Sequence, residues 1–201
     1  QSSNDIVPTA LHVSVAVALN NTLVPSLTQL ESSLLKKSEQ WKEIVKIGRT
    51  HLMDATPLTL GQEFSGYAAQ VHKSLERANR AIEALQELAI GGTAVGTGIN
   101  CHPEFAAKVV ALLSKETGIM FREADNHFEA QGGRDDAVEV AGHLNTIAAS
   151  LTKIAHDVRM LGSGPRSGLG ELNLPATQPG SSIMPGKVNP VMSEMLIQVA
   201  I

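Results

Sequence analysis

The stretch GSSIMPGKVNP, from Gly180 to Pro190, collects hydroxyl, ammonium and amide side chains in a segment without helical or strand periodicity. Its two prolines restrict the backbone and its two glycines permit turns, which is also typical of a linker. A linker has no need of Lys187 and Asn189, which in extended backbone would project to one side and could bind a single carboxylate. Ser181 and Ser182 offer hydroxyls at a loop tip that could close over a ligand.

Three further polar clusters lie where predicted helices begin or end: QSSND at residues 1–5, GRTHLMD at 48–54 and GGTAVGTGIN at 91–100. Functional groups can be placed at such ends without disturbing packed apolar stripes. The first cluster also fits a helix N-cap, because Ser, Asn and Asp accept hydrogen bonds from free backbone N–H groups. The second also fits a turn before a proline, in which case His51 is a surface histidine.

The elements that must position these clusters are predicted to be helices. Apolar residues recur at helical spacing over 11–34, where Pro25 is expected to kink or break the helix. After a loop at 47–57, a second long helix ends before Gly91, and a third ends before Gly162. No stretch alternates apolar and polar residues for long enough to predict a strand. The fold class is therefore all-α, a bundle of long helices that bury their apolar stripes against one another or against other subunits.

The composition narrows the class of protein. With 201 residues, of which 43% are hydrophobic and 18% charged, the chain can form one substantial core or two small ones. A net charge of −4 with dispersed basic residues predicts no binding to nucleic acid or an anionic membrane, so small molecules or protein partners are expected. The single cysteine, Cys101, is typical of a reducing compartment, and no run of eighteen apolar residues predicts a membrane segment.

Several common site motifs are missing from the sequence. GSSIMPGKV does not have the spacing of a phosphate-binding P-loop, and GTGINC lacks the third glycine of a dinucleotide fingerprint. The seven histidines contain no HExxH and no pair three or four residues apart, so no metal is expected. The chain begins at Gln1 and stops at Ile201 inside an apolar, helix-favouring run, and we interpret it as the middle of a longer protein.

Together these motifs resemble those of the fumarase/aspartase superfamily, and most closely those of metal-independent (class II) fumarases. GSSIMPGKVNP resembles the superfamily signature. Residues 48–67 resemble the second motif region of the superfamily, and QSSND, together with the PTA after it, resembles the first. The resemblance implies a homotetramer with a shared multi-helix core and active sites assembled from three subunits. Residues 1–201 would then be the central helical domain, inactive alone, without the N-terminal domain, the last central helix and the C-terminal domain. Residues 162–190 would be a mobile loop region that carries the signature.

The resemblance also implies an activity, the reversible hydration of fumarate to (S)-malate without a cofactor, in the cytoplasm or the mitochondrial matrix. By this resemblance, Ser181 matches the catalytic serine of the family and His51 matches its catalytic histidine. Glu194 matches the carboxylate that partners this histidine. The groups that bind the two substrate carboxylates match Thr50, Lys187 and Asn189 at one end and Ser2, Ser3 and Asn4 at the other, and Ser182 lies beside the catalytic serine.

Two departures keep an aspartate ammonia-lyase of the same superfamily open as the alternative. KVNPVMSE, at 187–194, lacks the Thr-Gln-Cys that commonly follows the asparagine in fumarases, and HLMDATP, at 51–57, differs from the commoner HTQDAVP. A rival from another class is a structural member of the fold, like the lens crystallins related to argininosuccinate lyase. The complete set of matched polar residues argues against this rival, because a purely helical scaffold needs none of them.

Overall fold

The computed structural model describes all 201 residues, and the chain forms two compact units, residues 1–144 and 145–201. Seven α-helices and four short strands confirm the predicted all-α class, since the strands are few and short. The helix α6 begins in the first unit and ends in the second. In chain order the elements are α1 Ser3–Ala18, α2 Val24–Gln40, β1 Val45–Thr50, β2 Met53–Thr59, α3 Leu60–Ala84, β3 Glu87–Leu88, α4 Phe105–Thr117, β4 Arg122–Glu123, α5 His127–Gly132, α6 Asp135–Leu161 and α7 Val191–Val199.

The first helical run changes geometry ahead of Pro25. Five π-helical residues, Leu19–Leu23, join α1 to α2, and Pro25 is the second residue of α2. A proline lacks the N–H that an α-helix interior uses, but this donor is not needed in a first turn. The expected break is therefore a local change of helix type. By length and composition alone, the run Ser3–Gln40 could cross a membrane, a test that core helices of other proteins also pass.

The core of the first unit is built on α3, which packs along the run formed by α1 and α2. α2 and α3 approach each other closely at Gly61, where an added Cβ atom would overlap the Ser38 carbonyl oxygen. Burying each large apolar side chain contributes about 1.5–3 kcal/mol, so these contacts hold the unit together. The buried side chains of α3 recur at helical spacing: Leu60, Phe64, Tyr67, Ala68, Val71, Ser74, Ala78, Ala81 and Ile82.

A β-hairpin replaces the loop predicted at 47–57. β1 and β2 pair antiparallel, and Thr50 faces Met53, so His51 and Leu52 form a two-residue turn. Their φ values of 54° and 63° are typical of a type I′ turn, which matches the twist of paired strands. The hairpin lies largely exposed, with no fully buried face, and β2 contains Pro57. Its strands therefore carry no alternating pattern, which is why the sequence predicted no strand here.

The second unit contains the end of α6, a segment at 162–190 without helix or strand, and α7. The segment is folded back by backbone hydrogen bonds. The N–H of Glu171 donates to Leu161 over 2.9 Å, and that of Gly170 donates to Ser163 over 2.9 Å. The mobility of this segment, and the assignment of 1–201 to a central domain of a longer protein, stay predictions.

Candidate functional site

Ser2, Ser3 and Asn4 open helix α1. Ser2 is its N-cap, and its hydroxyl oxygen accepts a hydrogen bond from the Asn4 N–H over 3.2 Å. The Ser2 N–H donates to the Asp5 carboxylate over 2.7 Å, which completes a capping box. The N-cap interpretation is confirmed. The cap engages the Ser2 hydroxyl, whereas the side chains of Ser3 and Asn4 are on the exposed side of this first turn.

A cavity of about 480 Å³ adjoins this first turn, a volume ordinary for a small-molecule site. Ser3 and Asn4 line it, together with Gln131 and Arg134. Their hydroxyl, amide and guanidinium groups are hydrogen-bond donors suited to a carboxylate. The amide of Asn4 is itself fixed, because its nitrogen donates to the Ala94 carbonyl over 2.7 Å.

Asp5 is the one charged residue buried in the protein, with 0% of its surface exposed. Its second carboxylate oxygen accepts from the N–H groups of Gly91, over 3.2 Å, and Thr93, over 3.0 Å. The sequence placed Asp5 in the QSSND cluster and gave it no role beyond helix capping. An Asp three residues after a Ser is fully explained by a capping box, so nothing in the local pattern signalled contacts with the distant glycine loop.

Thr50 and His51 are at the tip of the β1–β2 hairpin. Thr50 is the last residue of β1 and His51 the first of the turn, and both are exposed. The tight turn projects the imidazole from a backbone that is fixed by the strand register rather than by a flexible loop. Neither residue lines the cavity at Ser3 and Asn4.

The signature loop is organised by a turn at Met184–Lys187. The Lys187 N–H donates to the Met184 carbonyl over 3.1 Å, and Gly186 has a φ of 81°. Proline is common at the second position of a type II turn, and the positive φ at the third position favours glycine. The Ser181 N–H then donates to the Lys187 carbonyl over 3.0 Å and closes the loop. A Cβ atom at Gly180 would lie 2.7 Å from that carbonyl oxygen, so the closure requires glycine.

Lys187 and Asn189 project to the same side of the loop. The Lys187 ammonium donates to the Asn189 amide oxygen over 2.9 Å. Both residues line a second cavity, of about 590 Å³, in the unit formed by residues 145–201. Ser181 is half-buried and Ser182 is exposed, and neither lines this cavity.

Glu194 lies in the first turn of α7, where its carboxylate pairs with Arg159. The distance from the Arg159 Nε to the Glu194 Oε1 is 3.4 Å. The expected partnership of Glu194 with His51 therefore stays a prediction. The predicted site residues are carried by three segments of the chain: the first turn of α1, the tip of the hairpin, and the segment from Ser181 to Glu194. No group of three or more His, Cys, Asp or Glu side chains is placed to hold a metal ion.

A third cavity, of about 490 Å³, is rich in acidic side chains. Burial raises the pKa of the Asp136 carboxyl above its usual range, whereas the nearby His12 acts in the opposite direction. Repulsion by neighbouring carboxylates adds to the upward shift of this pKa. The carboxylates that act in this way belong to Asp135, Glu139 and Glu87.

Comparison with known proteins now identifies the class of protein. A family model described as "Lyase" matches residues 1–201, and the chain belongs to this lyase family. The resemblance to the fumarase/aspartase superfamily is confirmed. Over 199 residues the chain is 57% identical to "Fumarate hydratase class II" of Neisseria meningitidis, covering 99% of this chain and 43% of that protein. It is 55% identical to the mitochondrial fumarate hydratase of Saccharomyces cerevisiae, covering 100% of this chain and 41% of that protein.

Solved structures agree with these sequence matches. A class II fumarase from Schistosoma mansoni superimposes with a TM-score of 0.95 at 40% identity, covering 100% of this chain and 45% of that one. A fumarate lyase:delta crystallin from Brucella melitensis superimposes with a TM-score of 0.91 at 44% identity, covering 100% of this chain and 43% of that one. The chain thus spans less than half the length of the relatives it matches.

Proposed function

We propose that the protein is a class II fumarate hydratase, which interconverts fumarate and (S)-malate. The observation that carries this proposal is the 57% identity to a curated fumarate hydratase over 99% of the chain. Aspartate ammonia-lyase stays the alternative, because residues 187–194 depart from the common fumarase pattern.

The proposed substrate is a dicarboxylate. Two groups of hydrogen-bond donors support binding of its two carboxylates. Ser3 and Asn4 present a hydroxyl and an amide at one cavity, whereas Lys187 and Asn189 present an ammonium and an amide at another. Thr50 adds a hydroxyl from the hairpin tip. We assign Ser2 to the same set through the turn that it caps, since its own hydroxyl oxygen accepts from a backbone N–H.

The difficult step is removal of a proton from the malate carbon next to a carboxylate. That proton is very weakly acidic, and the electron pair left behind delocalises into the carboxylate as a dianionic aci-acid. Preorganised donors around this carboxylate lower the barrier by several kcal/mol, about 2.7–4 for each donor in measured cases. Expulsion of hydroxide from the neighbouring carbon then gives fumarate.

Ser181 is the proposed base in this step. A serine hydroxyl is a poor base at its ordinary acidity, so its alkoxide must be stabilised by loop N–H groups and a nearby cation. The type II turn supports this role by fixing Ser181 and Lys187 in one closed loop. Ser182 follows within the same loop and is assigned to substrate binding.

His51 is proposed to protonate the departing hydroxide, or to activate water in the reverse direction. Glu194 would orient this imidazole, and in this chain its carboxylate already has a cationic partner in Arg159.

A homotetramer is the proposed assembly. Apolar side chains on α1, α2, α6 and α7 are exposed in the single chain, which supports burial against other copies. Sedimentation velocity of the protein at the length of its relatives tests this assembly, and a stable monomer would contradict it. The exposed apolar residues on these helices include Ile6, Val7, Leu35, Val138, Met195 and Val199.

The activity is tested by the absorbance of fumarate near 240 nm, using a protein of the length of its relatives. Malate should generate the signal and aspartate should not; the reverse result assigns the ammonia-lyase activity. Ser181→Ala should lower kcat by several orders of magnitude with little change in malate binding, and near-normal turnover would remove Ser181 from the mechanism. The relatives come from bacteria and from mitochondria, so we place the protein in the cytoplasm or the mitochondrial matrix.

A further inference from the structure

We propose that Asp5 is a positioning residue, whose carboxylate holds the first turn of α1 against the glycine turn Gly91–Thr93. The inference rests on the proposed function in one respect, namely that Ser3 and Asn4 bind substrate. Asp5 itself does not touch the substrate in this proposal. It fixes where the two binding side chains lie at the rim of the cavity of about 480 Å³.

The carboxylate divides its two oxygens between two segments of the chain. Oδ1 accepts from the Ser2 N–H over 2.7 Å, at the start of α1. Oδ2 accepts from the N–H groups of Gly91, over 3.2 Å, and Thr93, over 3.0 Å. These donors are 86 and 88 residues away in sequence. A capping box needs only the first of these bonds, so the bonds of Oδ2 require another explanation.

Because Asp5 is fully buried, its carboxylate depends on these hydrogen bonds together. A carboxylate with 0% exposure is costly to remove from water unless its oxygens are hydrogen-bonded. Three backbone donors satisfy this one, and hydrogen bonds to a charged acceptor are stronger than bonds between neutral groups. The charge is therefore used to join two backbones and is shielded from any ligand in the cavity.

The glycine turn has a backbone that needs such support. Gly91 has a φ of 104°, and Thr93 has a φ of 55°, which is uncommon for a side chain branched at Cβ. The Thr93 carbonyl is held from the other side by the Gln131 amide, over 2.8 Å. The next residue, Ala94, accepts from the Asn4 amide over 2.7 Å. Asp5 thus holds the first turn of α1, which carries Asn4, against the glycine turn, which precedes the Ala94 carbonyl that orients the Asn4 side chain.

The variant Asp5→Asn removes the negative charge and one of the two acceptor oxygens, while the shape of the side chain is nearly unchanged. An amide has one acceptor oxygen, so its NH₂ group must face an N–H donor on one of the two sides. We expect the glycine turn or the first turn of α1 to shift, which displaces Asn4. In a protein of the length of its relatives, KM for malate should rise about tenfold or more, with a smaller change in kcat, because ground-state binding is lost.

The control variant is Val71→Ala, which removes buried methyl groups from α3. It should lower Tm while leaving KM unchanged, because Val71 lies in the helical core and not at the turn. If Asp5→Asn lowers Tm in the same way and leaves KM unchanged, Asp5 serves stability alone and the proposal is overturned.

Hydrogen–deuterium exchange gives a second readout that does not depend on activity. In the unsubstituted protein, the amides of Gly91 and Thr93 should be protected, and in Asp5→Asn a peptide spanning 88–98 should lose this protection selectively. Exchange of these amides at the rate of an open loop in the unsubstituted protein would overturn the proposal. If that protein turns over neither malate nor aspartate, the proposed function fails, and the exchange data still decide whether Asp5 holds the turn.

Discussion

The Lys187 ammonium and the Asn189 amide oxygen lie 2.9 Å apart and share a hydrogen bond. The contact agrees with the expectation that two side chains separated by one residue in extended backbone project to the same side. A carboxylate that binds here can replace the amide oxygen as the acceptor for the ammonium, and the Asn189 NH₂ group can then donate to the same anion.

Lys187→Met should therefore weaken binding of malate. The variant keeps most of the stem and removes the charge, and hydrogen bonds to a charged group contribute about 1.5–3 kcal/mol. We expect kcat/KM to fall by about tenfold to more than a hundredfold, since every 1.4 kcal/mol is a factor of ten. Steady-state kinetics measure this change, with Lys115→Met on α4 as the exposed control. Equal kinetics for the two variants would show that Lys187 does not contact substrate.

Leu52→Gly should stabilise the hairpin. Leu52 is 74% exposed and has a φ of 63°, so its side chain gains little burial and its backbone is strained. Relief of left-handed strain contributes about 1–2 kcal/mol. Tm should rise by about 2–4 °C for each kcal/mol in a protein of this size, as measured by calorimetry. A fall in Tm in the assembled protein would instead show that Leu52 is buried against another subunit.

Gly61→Ala and Gly66→Ala form a matched pair on α3. An added Cβ at Gly61 would overlap backbone atoms of Ser38 and Lys42, whereas one at Gly66 meets nothing within 4 Å. We expect Gly61→Ala to lower the free energy of unfolding by about 1–3 kcal/mol through overpacking. Gly66→Ala should raise it by about 0.5–1 kcal/mol, because alanine is the better helix former. Urea unfolding compares them, and similar effects at both sites would contradict the close approach of α2 and α3.

Asp136 should make the stability of the protein depend on pH. Burial raises its pKa in the folded protein, so between the ordinary and the raised pKa the folded state binds more protons than the unfolded state. The free energy of unfolding should therefore fall as pH rises through this interval. Asp136→Asn should remove this dependence and be more stable than the unsubstituted protein near neutral pH, with the difference shrinking toward about pH 4. Denaturation at a series of pH values checks the slope, and parallel curves would contradict the shift.

The helices were predictable from the sequence because their apolar stripes are local and repeat along the chain. The buried side chains of α3 follow this pattern, and α6 ends just before Gly162 as expected. The predicted end of α3 before Gly91 was wrong, because α3 ends at Ala84 with Leu85 as its C-cap and strand β3 follows. The hairpin at β1 and β2 was not predicted, since strand pairing depends on a register between two exposed segments. Before Pro25 the sequence predicted a kink or break, but it did not predict π-helical residues.

The same distinction applies to the candidate site. Lys187 and Asn189 are two residues apart, so extended backbone was enough to predict that they share a side. Asp5 and Thr93 are 88 residues apart, and no spacing rule connects them. The role of Asp5 could be recognised only once the fold had brought the glycine turn to the start of α1.

The separation of Asp5 from Gly91 also has a consequence for the order of events during synthesis. Asp5 leaves the ribosome 86 residues ahead of its first distant partner, after which α2, the hairpin and α3 must still emerge. Closing a long chain segment costs entropy that no local contact repays. The start of α1 therefore docks late, and its carboxylate stays hydrated until the nascent chain has extended beyond Thr93.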